Sequence, residues 1–258
     1  MRTTTLISAE KIIAEDPGGG ETQPLTLDIP KGSITCLVGP AGGGKTLFLK
    51  TLAGIIPPKK GRLKIFGQDM RSLPKKSWAS LRKKVAYVGA DTPLISFYSG
   101  WQNVIFPARY HQLDQNEEIE HKAETLIEKI GFRGELSVLP AYLNRVEAFK
   151  LTLVRALMLD PSILVLDEPF KHLDSLSREE VGKKILGLVN HLQLTMIVAT
   201  HDLTFAIKHA TTLIYVDQGG NYLFLPGNAV KTTTIPEVRH FLSTLENGWQ
   251  PDHEKSEK

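Results

Sequence analysis

Gly39-Pro40-Ala41-Gly42-Gly43-Gly44-Lys45-Thr46 fits the phosphate-loop pattern G-x-x-x-x-G-K-[ST]. The run before it, Ser33-Ile34-Thr35-Cys36-Leu37-Val38, is apolar and β-branched and predicts a buried strand. The run after it, Thr46-Leu47-Phe48-Leu49-Lys50-Thr51-Leu52-Ala53, predicts a helix that closes at Gly54. Strand, glycine loop and helix are the context the motif needs. The glycines let backbone N–H groups converge on phosphate oxygens, and the helix N-terminus adds a favourable partial charge. Lys45 is expected to reach the β- and γ-phosphates of a nucleotide, and Thr46 to offer its hydroxyl to Mg²⁺.

With 258 residues the chain has room for one large α/β domain carrying an inserted subdomain. Its formal net charge of +3 does not by itself point to nucleic acid. Basic residues cluster at Lys59, Lys60, Arg62 and Lys64, and again at Lys75, Lys76, Arg82, Lys83 and Lys84. They read as solvated faces, with a surface near anionic lipid headgroups as the alternative. The single cysteine, Cys36, excludes a disulfide framework and is expected in the core. The first ten residues lack the apolar stretch of a signal peptide, and no run approaches the ~20 apolar residues of a membrane helix. A soluble protein is expected, with membrane association only through a partner.

Working outward from the loop, strands are expected near Leu6 and over 25–29, 63–66 and 85–88, forming a β-rich nucleotide-binding layer. Between about 89 and 159 the pattern turns helical. Ile119, Ala123, Leu126, Ile127 and Ile130 make one apolar helix face, and Gly131 stops it. This stretch is read as a helical subdomain inserted in an α/β core. Ile163-Leu164-Val165-Leu166 is a continuous apolar run, expected of a buried parallel strand. A helix over 177–192, a strand over 196–199 and a helix over 203–209 follow. Two strands around Gly219-Gly220 suggest a hairpin. One domain over 1–248 is expected, with 249–258 a polar, disordered tail.

Ile163-Leu164-Val165-Leu166 runs directly into Asp167-Glu168, so the strand delivers two carboxylates to the carboxyl edge of the sheet, where open α/β sheets bind ligands. Asp167 is expected to hold Mg²⁺ through water and Glu168 to polarise the attacking water. Ala199-Thr200-His201-Asp202 ends the next strand, placing His201 where it would meet a γ-phosphate.

Phosphate loop, helical insertion, Asp-Glu strand, Leu173-Asp174 and Thr200-His201-Asp202, in that order, resemble the ATP-binding subunit of ABC transporters over about residues 5–240. Pro161-Ser162-Ile163-Leu164-Val165-Leu166-Asp167-Glu168-Pro169-Phe170 and Arg155-Ala156-Leu157 carry the likeness most closely. Asn103-Val104-Ile105-Phe106-Pro107, Ile130-Gly131-Phe132-Arg133-Gly134 and Pro236-Glu237-Val238-Arg239-His240-Phe241-Leu242 are similar to the ATPases of Mla/Mce-type phospholipid transport systems. The resemblance implies an α/β P-loop NTPase of ABC type: a mixed β-sheet core flanked by helices, a β-rich N-terminal layer and the helical insertion. It also implies Mg²⁺-dependent ATP hydrolysis in a dimer with a second ABC ATPase subunit. That dimer would dock on integral membrane permease subunits at the cytoplasmic face of the cell membrane, with no nucleic acid as partner. Asp174 takes the place of the family's D-loop aspartate.

Three positions depart from the family. An adenine-stacking aromatic is replaced by Ile13, with Ile12 beside it. The glutamine that touches Mg²⁺ and the water is replaced by Ala90, followed by Asp91. The signature Leu-Ser-Gly-Gly-Gln becomes Leu143-Asn144-Arg145-Val146-Glu147, losing both glycines that allow close backbone approach to a triphosphate. Arg145 is a candidate compensating cation, although a charge does not replace close backbone donors. The altered signature leaves two readings open, a slow homodimer or a heterodimer with one competent site. It also leaves a regulatory, weakly hydrolysing subunit as the alternative function. Phe97, Tyr98 and Trp101 are candidates either for a docking groove or for the helical core.

Overall fold

The structure is a computed structural model that describes residues 4–15, 21–89, 93–111, 116–171, 173–216, 222–226 and 243. Two sheets organise it. The first is antiparallel, in the order β2-β1-β4-β5, from β1 (Thr5–Ile13), β2 (Leu25–Pro30), β4 (Lys60–Ile65) and β5 (Gln68–Asp69). The second has the order β10-β9-β3-β8-β7-β6 and contains β3 (Ile34–Val38), β6 (Val85–Val88), β7 (Ile163–Asp167), β8 (Thr195–Ala199), β9 (Thr212–Val216) and β10 (Tyr222–Pro226). Strands β9, β3, β8, β7 and β6 run parallel, and β10 pairs antiparallel at the edge.

Helix α1 (Lys45–Leu52) follows β3. Helix α2 (Lys75–Lys83) leads into β6, and α3 (Gly100–His111), α4 (Asn116–Ile130) and α5 (Arg145–Leu157) lie between β6 and β7. Helices α6 (Ser175–His191) and α7 (Leu203–His209) complete the chain's α/β repeats.

Alternation along the central strands builds two cores. Leu37, Ile163, Val165, Ile197, Ala199 and Ile214 point to one face, where they meet Phe48, Leu49 and Leu52 of α1 and the antiparallel sheet. Cys36, Val38, Leu164, Leu166, Met196 and Val198 point to the other, against α3–α6. Each buried Val, Leu, Ile, Met or Phe among them contributes about 1.5–3 kcal/mol, which is why these strands read as unbroken apolar runs. Burial pushes the Cys36 thiol up to about 12, as fits its place in the core. Helix α4 buries Ile119, Ala123, Leu126, Ile127 and Ile130, the face expected from their spacing.

Three local features go beyond the sequence pattern. Val85–Val88 joins the parallel sheet beside β7 rather than the antiparallel layer. The basic run before it is a helix, α2, since Trp78 and Leu81 give it an apolar edge three residues apart. Gln68 and Asp69 pair with Ile65 and Lys64 as a short antiparallel strand on β4. Ala90, Asp91, the Gly219-Gly220 turn, the 236–242 segment and the 249–258 tail lie outside the described residues.

Candidate functional site

The carboxyl edge of the parallel sheet gathers the chemistry. The loop between β3 and α1 has Gly39 at φ 139°, Gly42 at 86° and Gly44 at 83°. At Gly39 a Cβ would stand 2.0 Å from the Val216 carbonyl oxygen of β9, so only glycine lets the loop leave the sheet there. Within the loop Pro40 is half-buried, Ala41 is exposed and Gly43 is buried. Helix α1 begins at Gly44 without a side-chain cap, whereas Asn144, Asp174 and Asp202 cap α5, α6 and α7. The first-turn amides of α1 are therefore free of a side-chain cap and open to an anion.

Lys45 is buried, and its Nζ donates to the carbonyls of Gly39 at 2.9 Å and Pro40 at 2.7 Å. Burial lowers its pKa, while the charges of Glu168 and Asp167 act in the opposite sense. A cation held this way inside a glycine loop suits a polyphosphate, whose negative charge offsets the hydration that burial removes.

Strand β7 carries Asp167, 5% exposed, to the foot of the loop. Thr46 donates its hydroxyl to Asp167 Oδ1 at 3.1 Å, so the loop and the acidic strand end meet directly. A hydroxyl oxygen beside a carboxylate is the hard-oxygen donor set that Mg²⁺ takes with bound phosphate, and the residues fit that ion. Tyr87 of β6 donates its own hydroxyl to Asp167 Oδ2 at 2.9 Å. Sequence reading missed Tyr87 because its approach depends on β6 lying beside β7, which the chain order does not disclose.

Glu168 follows with φ +52°, a left-handed conformation unusual for a residue with a Cβ, and its N–H donates to the Ala199 carbonyl at 2.9 Å. That turn swings its carboxylate towards β8. There Oε2 accepts from the His201 N–H at 3.3 Å, and Oε1 lies 3.1 Å from His201 Nε2. Burial raises the Glu168 pKa against the pull of the His201 N–H and Lys45. Burial, then the charge of Lys45, lowers that of His201. Both shifts favour the neutral forms, as burial of an acid beside an imidazole dictates.

The altered signature segment is built more completely than its sequence suggests. Asn144 caps α5, its side chain accepting from the Glu147 N–H at 2.9 Å, while Glu147 Oε2 accepts from the Asn144 N–H at 3.0 Å. This is a capping box, and Glu147 spends its carboxylate on it. Gly134 makes room: a Cβ there would lie 2.6 Å from Glu147 Oε1. Leu143 and Val146 pack partly into the core, and Arg145 is exposed. What the segment lacks is two bare backbone positions, not a helix start. Arg155, further along α5, donates to the Pro93 carbonyl at 3.0 Å and to Asn103 Oδ1 at 3.2 Å, tying the stretch that follows Asp91 to this helix.

Asp174 accepts from the Ser177 N–H at 2.9 Å and from its hydroxyl at 2.6 Å, so it caps α6, and those bonds lower its pKa. Ile13 is half-buried at the end of β1, next to Ala14, whose N–H donates to Thr22 Oγ1 at 2.9 Å. The Thr22 methyl in turn lies against Gly44 of the loop. Ile12 is wholly buried in the core and is not available to share a base contact. Phe97 is 73% exposed, Trp101 packs on the helical core, and Tyr98 is half-buried with its ring between those of Phe97 and Phe106.

Residues 22–171 match the family described as ABC transporter. The chain belongs to the ABC transporter family. Among ABC relatives, it is 34% identical over 178 residues to the intermembrane phospholipid transport system ATP-binding protein MlaF of Haemophilus influenzae, spanning 69% of this chain and 67% of that protein. It is 28% identical over 221 residues to the probable ribonucleotide transport ATP-binding protein mkl of Mycobacterium leprae, covering 86% of this chain and 64% of that one. The fold matches the dimeric structure of MJ0796, a bacterial ABC transporter cassette, with a TM-score of 0.77 at 21% identity, over 86% of this chain and 99% of that one.

Proposed function

We propose that the chain is the ATP-binding and ATP-hydrolysing subunit of an ABC transporter, and that the transporter moves phospholipid. One observation carries the catalytic part: Lys45, Thr46, Asp167, Glu168 and His201 converge at one sheet edge, at or just beyond the carboxyl ends of the three strands β3, β7 and β8. In this reading the amides of the 39–46 loop and Lys45 bind the phosphates. Thr46 and Asp167 hold Mg²⁺, which when bound neutralises charge on the phosphates. Glu168 takes a proton from water, and His201 orients that carboxylate. Ile13 gives the base an apolar contact, and Asp174 stands at the mouth of the helix facing a second subunit.

A dimer is supported by the incomplete site and by the likeness to a dimeric cassette. A groove of about 870 Å³ lined by Ile55, Pro58, Met70, Trp78, Arg82 and His111 is a suitable seat for a permease segment, with exposed Phe97 on the neighbouring helical region. Docking there would hold the subunit at the cytoplasmic face of a membrane. No helix among the described residues is long and apolar enough to cross one. Phospholipid as cargo rests on the similarity to the Haemophilus protein and on the 103–107 and 130–134 segments.

A second reading has one observation behind it. Arg145 and Val146 open α5 where the family pattern has two glycines, which suits a subunit that binds ATP and turns over slowly. Turnover of the protein purified with its membrane subunits, wild type against Glu168→Gln, tests the leading reading.

A further inference from the structure

Tyr87 is the one polar side chain of β6. It pairs with Val165 across the ladder, so its side chain shares a face with Asp167, two residues along β7. Each oxygen of the Asp167 carboxylate therefore has its own donor: Thr46 on Oδ1 at 3.1 Å and Tyr87 on Oδ2 at 2.9 Å. A carboxylate otherwise turns broadly about its last torsion. One donor on each oxygen selects a single orientation, with Oδ1 kept beside the Thr46 hydroxyl. Ala90, two residues beyond the end of β6, brings no polar side chain.

We propose that Tyr87 is a positioning residue for the metal–nucleotide site, its hydroxyl fixing the orientation of Asp167 towards a divalent cation shared with Thr46. The inference rests on the nucleotide reading of the site and adds a residue to it. The ring of Tyr87 also packs against the core of α1 and the antiparallel sheet, so Tyr87→Phe removes the hydroxyl and keeps that contact.

The experiment measures Mn²⁺ affinity by electron paramagnetic resonance on the full chain saturated with a non-hydrolysable ATP analogue. Affinity for the analogue alone is measured in chelator. Groups behind a metal ligand are typically worth 10–100-fold in metal affinity, and Tyr87→Phe is expected to weaken Mn²⁺ binding about tenfold. Analogue affinity in chelator should stay unchanged, and the substitution should have no further effect in an Asp167→Asn background. Unchanged Mn²⁺ affinity in Tyr87→Phe would overturn the proposal. So would equal losses with and without metal, which would make Tyr87 a packing residue only. A wild-type chain that binds no analogue would overturn the nucleotide reading itself.

Discussion

Glu168→Gln separates chemistry from folding at one atom. Gln keeps the length and shape of the side chain. Its amide oxygen still accepts from the His201 N–H, as Oε2 does at 3.3 Å, and its NH₂ faces Nε2, which Oε1 meets at 3.1 Å. The proton acceptor is what disappears. General-base groups contribute about 10²–10⁴ in rate, or roughly 3–5 kcal/mol of barrier, and turnover should fall by that factor. Stability should move the other way. Burial raises the folded-state pKa of Glu168 above its usual value, so the folded protein holds the proton more tightly than the unfolded chain. Its contribution to stability is then full below the usual carboxylate pKa and is lost as pH rises through the raised one. At neutral pH the wild type carries that cost and the Gln variant does not. The assay pairs phosphate release by the membrane complex with thermal melting of the subunit. Glu168→Gln should melt at or above the wild type near neutral pH, and its advantage should shrink as pH falls and disappear below about 4, under the usual carboxylate pKa, where Glu168 is protonated in both states. Turnover within about tenfold of wild type would refute the base assignment, since this is less than a positioned base supplies. A lower melting point with an advantage that grows in acid would refute the electrostatic account.

Other outcomes follow from the signature helix. Asn144→Ala removes the cap of α5 and leaves Glu147 without its reciprocal partner; a loss of ~1 kcal/mol is expected, seen as a melting point roughly 2–4 °C lower. Replacing Arg145 and Val146 together by glycine should cost about 0.5–1 kcal/mol each in helix stability, plus the packing of Val146. The same double variant should raise turnover of the complex if close backbone approach is what the segment lacks. A destabilised variant with unchanged turnover would show that bulk at these positions is not limiting.

Sequence reading reached the elements whose signals are local. The phosphate loop, the 163–167 strand and the apolar face of α4 each declare themselves by spacing or composition. The loop needs Gly39 because of Val216, a contact from the far end of the chain, yet the motif records it as one letter. What stayed hidden was mostly neighbourhood. Nothing local says that β6 flanks β7, and without that pairing Tyr87 is only a strand residue. Helix α2 is so rich in lysine and arginine that its two apolar residues give no readable period. The signature segment shows the reverse error: Asn144 and Glu147 count as losses against the family pattern, yet their three-residue spacing is itself the capping box that starts the helix.

Equilibrium binding of MgATP to the isolated subunit, wild type against Lys45→Ala, decides whether the 39–46 loop is a nucleotide site. The Lys45 ammonium, held by two loop carbonyls, is the one cation the loop itself supplies to a phosphate. Charge-assisted hydrogen bonds are worth about 1.5–3 kcal/mol, so the variant should bind roughly 10–100-fold more weakly while melting as a folded protein. Equal affinity in the two proteins, or no binding by the wild type, would contradict the assignment of the 39–46 loop as a nucleotide site.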